Sequence, residues 1–581
     1  LGAGHHGEGG SLVALDEAAV IEADRKELHQ LGYAQELRRG LGTFSNFAIS
    51  FSIISVLAGA LTTFYLPLLA GGPAAVTVSW IVIGGLALLV GMAMAEICSA
   101  MPTAGGLYYW SAKLARTPEG GAQAAWYTGW FNLVGQVGVI ASVDYALSVF
   151  IAYFVSLYAT SWFGLAILDY KSVFIIYVLC LIAHGLLNTF GVKLVKLLAD
   201  VSVWWHVFGT AIIIIILFTI PTTEKTAGIE SIFDYHNLTG WSFQGSGIYV
   251  FIIGLLIAQY TITGFDASAH VSEETKGANV SAPKAIVRSI YISAIAAWLL
   301  NVAILQAMPA NAYDDGLGKI LSSGLIPAPL EIFQQSVAGN MAKLMIFIAI
   351  VGQFFCGMCG VTANSRMVYA FSRDGALPAS KLWHRINPRT RTPTNAVWLG
   401  VSLSILVGFL TFIQSDNYAV AFFVLVGFCA VGLYVAYVIP VWLRLRKPDF
   451  KQGPWNLRGY SKLVGWIVVV YVVFINLMFL APQFGPVSAF WPPWGGDIPG
   501  TDIARVNNFN FTGPFMIGLL IAIWIYWEVS AKKWFKGPQV MGTEEELLAI
   551  ERELAAVERG EAPASEFYKM EDEMEAHHGR E

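Results

Sequence analysis

The chain is 581 residues long, 56% hydrophobic and only 13% charged, with a mean hydropathy of +0.59. That composition excludes an ordinary soluble domain and points to an integral membrane protein. A formal net charge of −5 at pH 7 selects no charged partner, and nucleic acid is not expected as one.

Residues 1–40 are polar and acidic and read as a cytoplasmic tail with a weakly amphipathic stretch, DEAAVIEADRKELHQLGY. They lack the apolar core of a signal peptide, so the first span is expected to direct insertion. Twelve apolar runs follow, near 46–70, 74–98, 124–157, 173–191, 199–221, 247–270, 285–309, 340–371, 395–414, 418–442, 464–482 and 513–529. Most reach the roughly 20 residues that a helix needs to cross a hydrocarbon core. The fold class expected is therefore an all-α polytopic membrane protein with twelve transmembrane helices. Runs one to five fall in 41–221, six to ten in 247–445 and the last two in 461–535, ahead of a cytoplasmic tail at 536–581. Within that tail, TEEELLAIERELAAVERG has Thr543 and Glu546 as a capping box, an apolar stripe of Leu547, Ile550, Leu554 and Val557, and Gly560 as a stop.

Orientation follows from lysine and arginine. With both termini cytoplasmic, the tails and the connections after even-numbered runs hold 30 of the 35 basic residues, and the other side receives only Lys171, Lys225, Lys319, Lys343 and Arg505. The five cysteines, Cys98, Cys180, Cys356, Cys359 and Cys429, all lie in apolar runs and imply no disulfide framework; the CGMC pair is read as helix packing.

Two runs are interrupted. FSIISVLAGALTTF places Ser52, Ser55, Gly59 and Thr62 in run one, and TITGFDASAH places a break at Ile262 to Phe265 in run six. Each run opens a five-helix set, and the two sets insert with opposite orientation. Irregular backbone at membrane depth is tolerated only inside protein or along a cavity, so matched breaks in inverted halves point to a midplane binding site. Free amides around Ala58 to Leu61 would favour an anion. Free carbonyls near Tyr260 to Thr263 would favour a cation. Together they suit a zwitterion.

Four stretches, LGYAQELRRGLGTFSNFAISFSIISVLAGALTTF, AEICSAMPTAGGLYYW, TGFDASAHVSEET and SRMVYAFSRDGALP, together resemble the amino acid, polyamine and organocation (APC) transporter superfamily, and within it the amino acid/choline branch that includes GABA permeases. The resemblance covers roughly 35 to 535. It implies a LeuT-type 5+5 inverted repeat with discontinuous helices 1 and 6, and alternating access around a midplane site. Matched onto that site, Val56, Leu57, Ala58, Gly59 and Ala60 correspond to the unwound segment of helix 1, and Ile262, Thr263, Gly264, Phe265 and Asp266 to that of helix 6. One departure is that no lysine lies between Lys196 and Lys225, where some proton-coupled relatives carry one.

For the remaining walls, helix 3 offers Trp130, Asn132 and Gln136, helix 8 offers Gln353 and Phe354, helix 10 offers Phe422, and Tyr260 adds aromatic surface. Asp266 is read either as a group that meets a substrate or proton, or as a cap on the second half of helix 6. Glu96, Arg373 and Asp374 are gating candidates on the inner face. Arg373 and Asp374 could pair, or simply end their helix. Asp144, Thr362 and Ser365 are candidates for ion coupling, with proton or sodium as the ion; His184, His206 and His270 are read as proton carriers or as packing. No metal, prosthetic group or catalytic residue is expected. The function expected is movement of an amino acid or GABA-like zwitterion across the plasma membrane. A choline or amine permease, an exchanger and a transporter-like nutrient sensor remain open, as do direction and oligomeric state. The partners expected are the small-molecule substrate and the lipid bilayer.

Overall fold

The computed structural model describes residues 8–162, 164–190, 192–220, 226–314, 317, 320, 326–412, 418–483 and 510–577. Lys225, Lys319 and Arg505, three of the five basic residues assigned to the far side, lie outside them.

Helices follow one another almost throughout. α1 (Glu8–Gln30) precedes a first interrupted run made of α2 (Thr43–Ile54), α3 (Gly59–Thr62) and α4 (Tyr65–Leu69). Next come α5 (Gly72–Ala100), the short α6 (Gly106–Leu114), α7 (Pro118–Ser156), α8 (Tyr170–Phe190) and α9 (Val192–Thr219). The second interrupted run is α10 (Ser246–Gly254), α11 (Leu256–Thr261) and α12 (Ala267–His270). It leads to α13 (Ala278–Ala307), α14 (Ala328–Ser336), α15 (Gly339–Arg373), α16 (Ser380–Trp383), α17 (Thr394–Gly408) and α18 (Tyr418–Leu445). α19 (Ser461–Leu480) and α20 (Thr512–Val529) complete the apolar body, and α21 (Glu544–Arg559) and α22 (Ala564–His577) form the tail.

Among the described residues eleven helices, α2–α4 being taken as one, are long and apolar enough to cross a membrane, and Ser246–Thr261 is a shorter apolar helix. The sixth run falls short because its polar break ends the helix at Thr261. Helices at the periphery turn large apolar side chains outward, Leu179 on α8, Ile215 on α9, Val470 on α19 and Leu520 on α20 among them. Polar side chains such as Asn46, Ser50, Gln259 and Gln353 are instead buried, the arrangement expected when the surrounding solvent is lipid.

The PTAGG segment turns at Gly106, whose φ of +47° favours glycine, and continues into α6, a helix outside the twelve apolar runs. α22 was also unforeseen. α21 follows its expected signals closely. Thr543 and Glu546 form the reciprocal cap, Gly560 ends the helix at φ +78°, and Leu547, Ile550, Leu554 and Val557 are its buried residues.

Both tails pack on one side of the molecule, called here the terminal face. His29 of α1 contacts Glu551 of α21 at 2.7 Å, and the same carboxylate accepts from the Gln35 amide at 2.8 Å. The segment after α1 is bonded to the body, Gly40 and Leu41 donating to the Glu274 carbonyl at 3.0 and 2.8 Å.

Candidate functional site

The two interruptions meet. α2 stops at Ile54 because Ser55 takes φ +30°, a sparsely populated conformation for a residue with a side chain. Its hydroxyl is held 2.8 Å from His206 Nε2 on α9. The other ring nitrogen, Nδ1, faces the Ser202 carbonyl at 2.8 Å, so Nδ1 carries the proton and Nε2 accepts from Ser55. Ala58 and Gly59 both donate back to the Ser55 carbonyl, at 2.9 and 3.0 Å, and Leu61 donates to Ala58. The amides left without an acceptor among the described residues are those of Val56, Leu57 and Ala60, a shifted set from the Ala58 to Leu61 expected.

In the second break, Gly264 has φ +81°. The Tyr260 carbonyl accepts from Thr263 Oγ1 at 2.6 Å and the Ile262 carbonyl from Tyr434 at 2.8 Å. That leaves Thr261 and Thr263 as the carbonyls with no donor among the described residues. The two breaks are pressed together through their glycines. A Cβ on Gly59 would lie 2.6 Å from Thr261 Oγ1 and 2.9 Å from its Cα, and one on Gly264 would lie 2.3 Å from Ile53 Cγ2. Ser50 of α2 also bridges to α12, donating to the Phe265 carbonyl at 3.1 Å and accepting from the Ser268 amide at 2.9 Å.

Asp266 stands at the N-cap position of α12, yet its side chain makes no cap hydrogen bond. Its backbone is already helical (φ −65°, ψ −17°), whereas a capping residue needs an extended backbone to aim its oxygen at the free amides. The cap alternative is therefore set aside. The buried carboxylate instead accepts from Tyr437 OH at 2.7 Å on Oδ1 and from Gln136 Nε2 at 3.3 Å on Oδ2. His270 Nε2 lies 3.2 Å from Oδ2, and His270 Nδ1 lies 2.9 Å from the Ala104 carbonyl. A carbonyl can only accept, so Nδ1 bears a proton. Nε2 and a carboxylate oxygen cannot bond unless a second proton lies between them. His270 Nε2 also lies 3.4 Å from Asn132 Nδ2, so it meets an amide donor as well as the carboxylate.

Several of the other candidates line the same region. Gln353 Nε2 reaches the Leu57 carbonyl at 3.4 Å, the Tyr260 and Phe422 rings meet edge to face at 5.9 Å, and Tyr260 donates to Ser142 Oγ at 2.9 Å. Phe265 packs on Tyr437 at 4.8 Å. Beside Tyr260, towards the end of the body opposite the terminal face, is a cavity of about 10 Å³ bordered by Thr63 and Val426, about one water in size. Trp130 is elsewhere, packed against Trp126, Phe371 and Tyr526. Thr362 donates to Asn188 Oδ1 at 2.7 Å and Ser365 to the Thr362 carbonyl at 2.8 Å, so neither hydroxyl is spent on α2. Asp144 pairs with His184.

On the terminal face, Arg373 and Asp374 do not bond each other. Arg373 pairs with Glu273 at 3.2 Å and stacks 3.7 Å over the Tyr33 ring. Glu273 also accepts from the Ala104 amide at 2.9 Å, tying the loop after α5 to α15. Asp374 accepts from Tyr108 at 2.6 Å, Tyr33 at 3.1 Å and the Gln539 amide at 3.1 Å. Glu96 joins α5 to the segment before α19, accepting from Gln452 at 3.1 Å, the Leu457 amide at 3.2 Å and Ser461 at 2.5 Å. Sequence reasoning missed Glu273, Tyr33, Tyr108, Tyr434 and Tyr437. The i, i+3 spacing of Tyr434 and Tyr437 was a usable signal, since it puts both on one face of α18.

Residues 41–533 match the family model described as amino acid permease. The chain is 39% identical over 527 residues to the amino-acid permease BAT1 of Arabidopsis thaliana, covering 89% of this chain and 97% of that protein. It is 37% identical over 519 residues to a BAT1 homolog of Oryza sativa (88% and 94%), and 30% identical over 545 residues to the GABA-specific permease of Saccharomyces cerevisiae (91% and 88%). These relatives are carriers of small molecules rather than enzymes, and the apolar helices agree with a multi-pass membrane protein. The chain belongs to the amino acid permease family of the APC superfamily.

Proposed function

We propose that this amino acid transporter moves an amino acid or GABA-like zwitterion across the plasma membrane by alternating access, with the terminal face in the cytoplasm. In this reading α10–α12 complete a twelfth, discontinuous span, and 41–221 and 247–445 form a LeuT-type 5+5 inverted repeat. The observation that carries the reading is the contact of the two breaks at Gly59 and Thr261, with the Val56, Leu57 and Ala60 amides on one strand and the Thr261 and Thr263 carbonyls on the other. Amides receive a carboxylate and carbonyls an ammonium. The likeness to a relative named GABA-specific permease supports a zwitterion over choline. The 30 to 5 division of basic residues supports the orientation.

The coupling ion in this reading is a proton, held by Asp266 and His270. Support comes from the close approach of a buried acid and imidazole beside the second break, His270 Nε2 lying 3.2 Å from Asp266 Oδ2. Arg373 with Glu273, Asp374 with the tyrosines, and Glu96 act as the closed inner gate.

The test is uptake of labelled amino acids, GABA and choline into vesicles carrying the purified protein, with imposed proton or sodium gradients. Proton-driven uptake of a zwitterion that is lost in Asp266→Asn is expected. Choline flux without amino acid flux, or ligand binding without any flux, would overturn the reading.

A further inference from the structure

A second buried acid and imidazole meet outside the substrate region. Asp144 on α7 and His184 on α8 are both fully buried, with His184 Nδ1 3.1 Å from Asp144 Oδ1. The ring is misaligned, so neither carboxylate oxygen and neither ring nitrogen has a hydrogen-bond partner among the described residues. A carboxylate with no donor at membrane depth is costly, and groups kept in that condition carry a function by default. α15 makes room for them at Gly357, where a Cβ would lie 2.6 Å from His184 Cε1 and 2.8 and 2.9 Å from the two Asp144 oxygens. The Phe354 ring covers the imidazole at 4.5 Å.

The other titratable groups facing Asp144 are Tyr177 and Cys180 of α8 and Cys356 of α15. Tyr177 is spent on the Ser404 carbonyl at 2.5 Å, and Cys356 on the Ile53 carbonyl at 3.1 Å. No lysine or arginine forms an ion pair with Asp144 among the described residues. As carboxylate plus imidazole the couple carries one uncompensated negative charge. Taking one proton from solution, as a new N–H bond on His184 or O–H bond on Asp144, brings it to neutrality with no other reactant.

The couple also has an approach. One helical turn along α8, Asn188 Nδ2 donates to the His184 carbonyl at 3.0 Å and to the Met358 carbonyl of α15 at 3.1 Å, while its Oδ1 accepts from Thr362. Asn188 and Thr362 line a cavity of about 20 Å³ together with Lys196, Glu274 and Arg366, large enough for about one water. Glu274 is the residue whose carbonyl receives Gly40 and Leu41, so this cavity lies towards the terminal face.

We propose that Asp144 and His184 form a second proton-holding site, separate from Asp266 and His270, that exchanges its proton with the terminal-face solution through the cavity at Asn188 and Thr362. The site belongs to α7, α8 and α15 and does not touch the breaks, so it acts on a step other than substrate recognition. It makes turnover respond to the pH of the terminal-face compartment.

Infrared difference spectra of the purified full-length protein across a pH jump test this. Carboxyl or imidazole bands lost in both Asp144→Asn and His184→Gln, but retained in Asp266→Asn, are expected. In vesicles with pH set separately on each side, Asp144→Asn loses the dependence of uptake on terminal-face pH. Spectra and pH profile of Asp144→Asn identical to the unsubstituted protein would overturn the site. Should that variant not fold, Thr362→Val leaves the couple intact and is expected to slow the rise of its bands after the jump; an unchanged rate overturns the route. Spectra in which no band depends on Asp266 count against the coupling reading above and leave this site standing.

Discussion

Gly59 and Thr261 stand so close that a single methyl group on the glycine would fall 2.9 Å from the Thr261 α-carbon. Backbone cannot yield as a flexible side chain does. Gly59→Ala therefore forces the two interrupted runs apart, with an overpacking cost of about 1–3 kcal/mol. The expected outcome is a lowered melting temperature with loss of substrate-induced stabilisation, read by thermal shift with and without ligand. A variant that binds substrate as the original does would mean that the breaks are not where substrate is held.

Tyr437 donates to Asp266 Oδ1 at 2.7 Å while its oxygen accepts from the Gly264 amide at 3.2 Å. One hydroxyl thus serves both the buried acid and the left-handed glycine of the break. Tyr437→Phe leaves the shape and removes both bonds, one of them to a charged acceptor at roughly 1.5–3 kcal/mol. Uptake is expected to fall with a shifted pH profile, whereas Tyr434→Phe, which loses only the Ile262 carbonyl contact, should lower uptake without that shift.

Removing one partner of a buried ion pair leaves the other charge uncompensated, at about 3–5 kcal/mol. Glu273→Gln removes the ion-pair partner of Arg373, which is only 3% exposed, leaving it the less close charges of Glu36 and Asp374, and weakens the tie from Ala104 to α15. Faster labelling of a cysteine placed in the 102–105 loop, from the terminal face, is the expected result. Labelling no faster than in the intact pair would remove Glu273 from the proposed gate.

The N-terminal segment docks through carboxyl groups whose burial raises their pKa. Asp24 accepts from the Gly277 amide, Glu27 from Asn279 and Glu36 from Tyr369, and in each the largest influence is loss of solvent, which outweighs the donors. A carboxyl with a higher pKa when docked binds more protons docked than free. Docking is therefore strongest below the ordinary carboxylate range and weakens as pH rises through the docked values. Limited proteolysis between residues 31 and 42 should quicken as pH is raised from acid towards neutral; cleavage that slows would reverse the sign.

How much of this could be read from the chain depends on how local each feature is. The breaks were legible because Gly59 and Gly264 interrupt apolar runs within a few residues of their own sequence, and α21 was legible because Thr543, Glu546 and Gly560 are local signals. The partner of Arg373 was not, since Asp374 is adjacent in sequence but Glu273 is 100 residues away. Asp266 stayed undecided between two readings for a related reason. Its position before a helix suggested a cap, and only the tertiary placement of Tyr437 and Gln136 drew the carboxylate elsewhere. Trp130 was assigned to the site by helix membership alone, and its depth along α7 puts it with Trp126 and Phe371.

The hydrogen bond from the Gln539 amide to Asp374 spans 165 residues and joins the tail to the end of α15. During synthesis, α15 emerges long before that amide exists. Until the segment carrying Gln539 is made and folds back, Asp374 has only the Tyr33 and Tyr108 hydroxyls as donors among the described residues. Completion of the Asp374 shell thus waits on a residue made 165 positions after it.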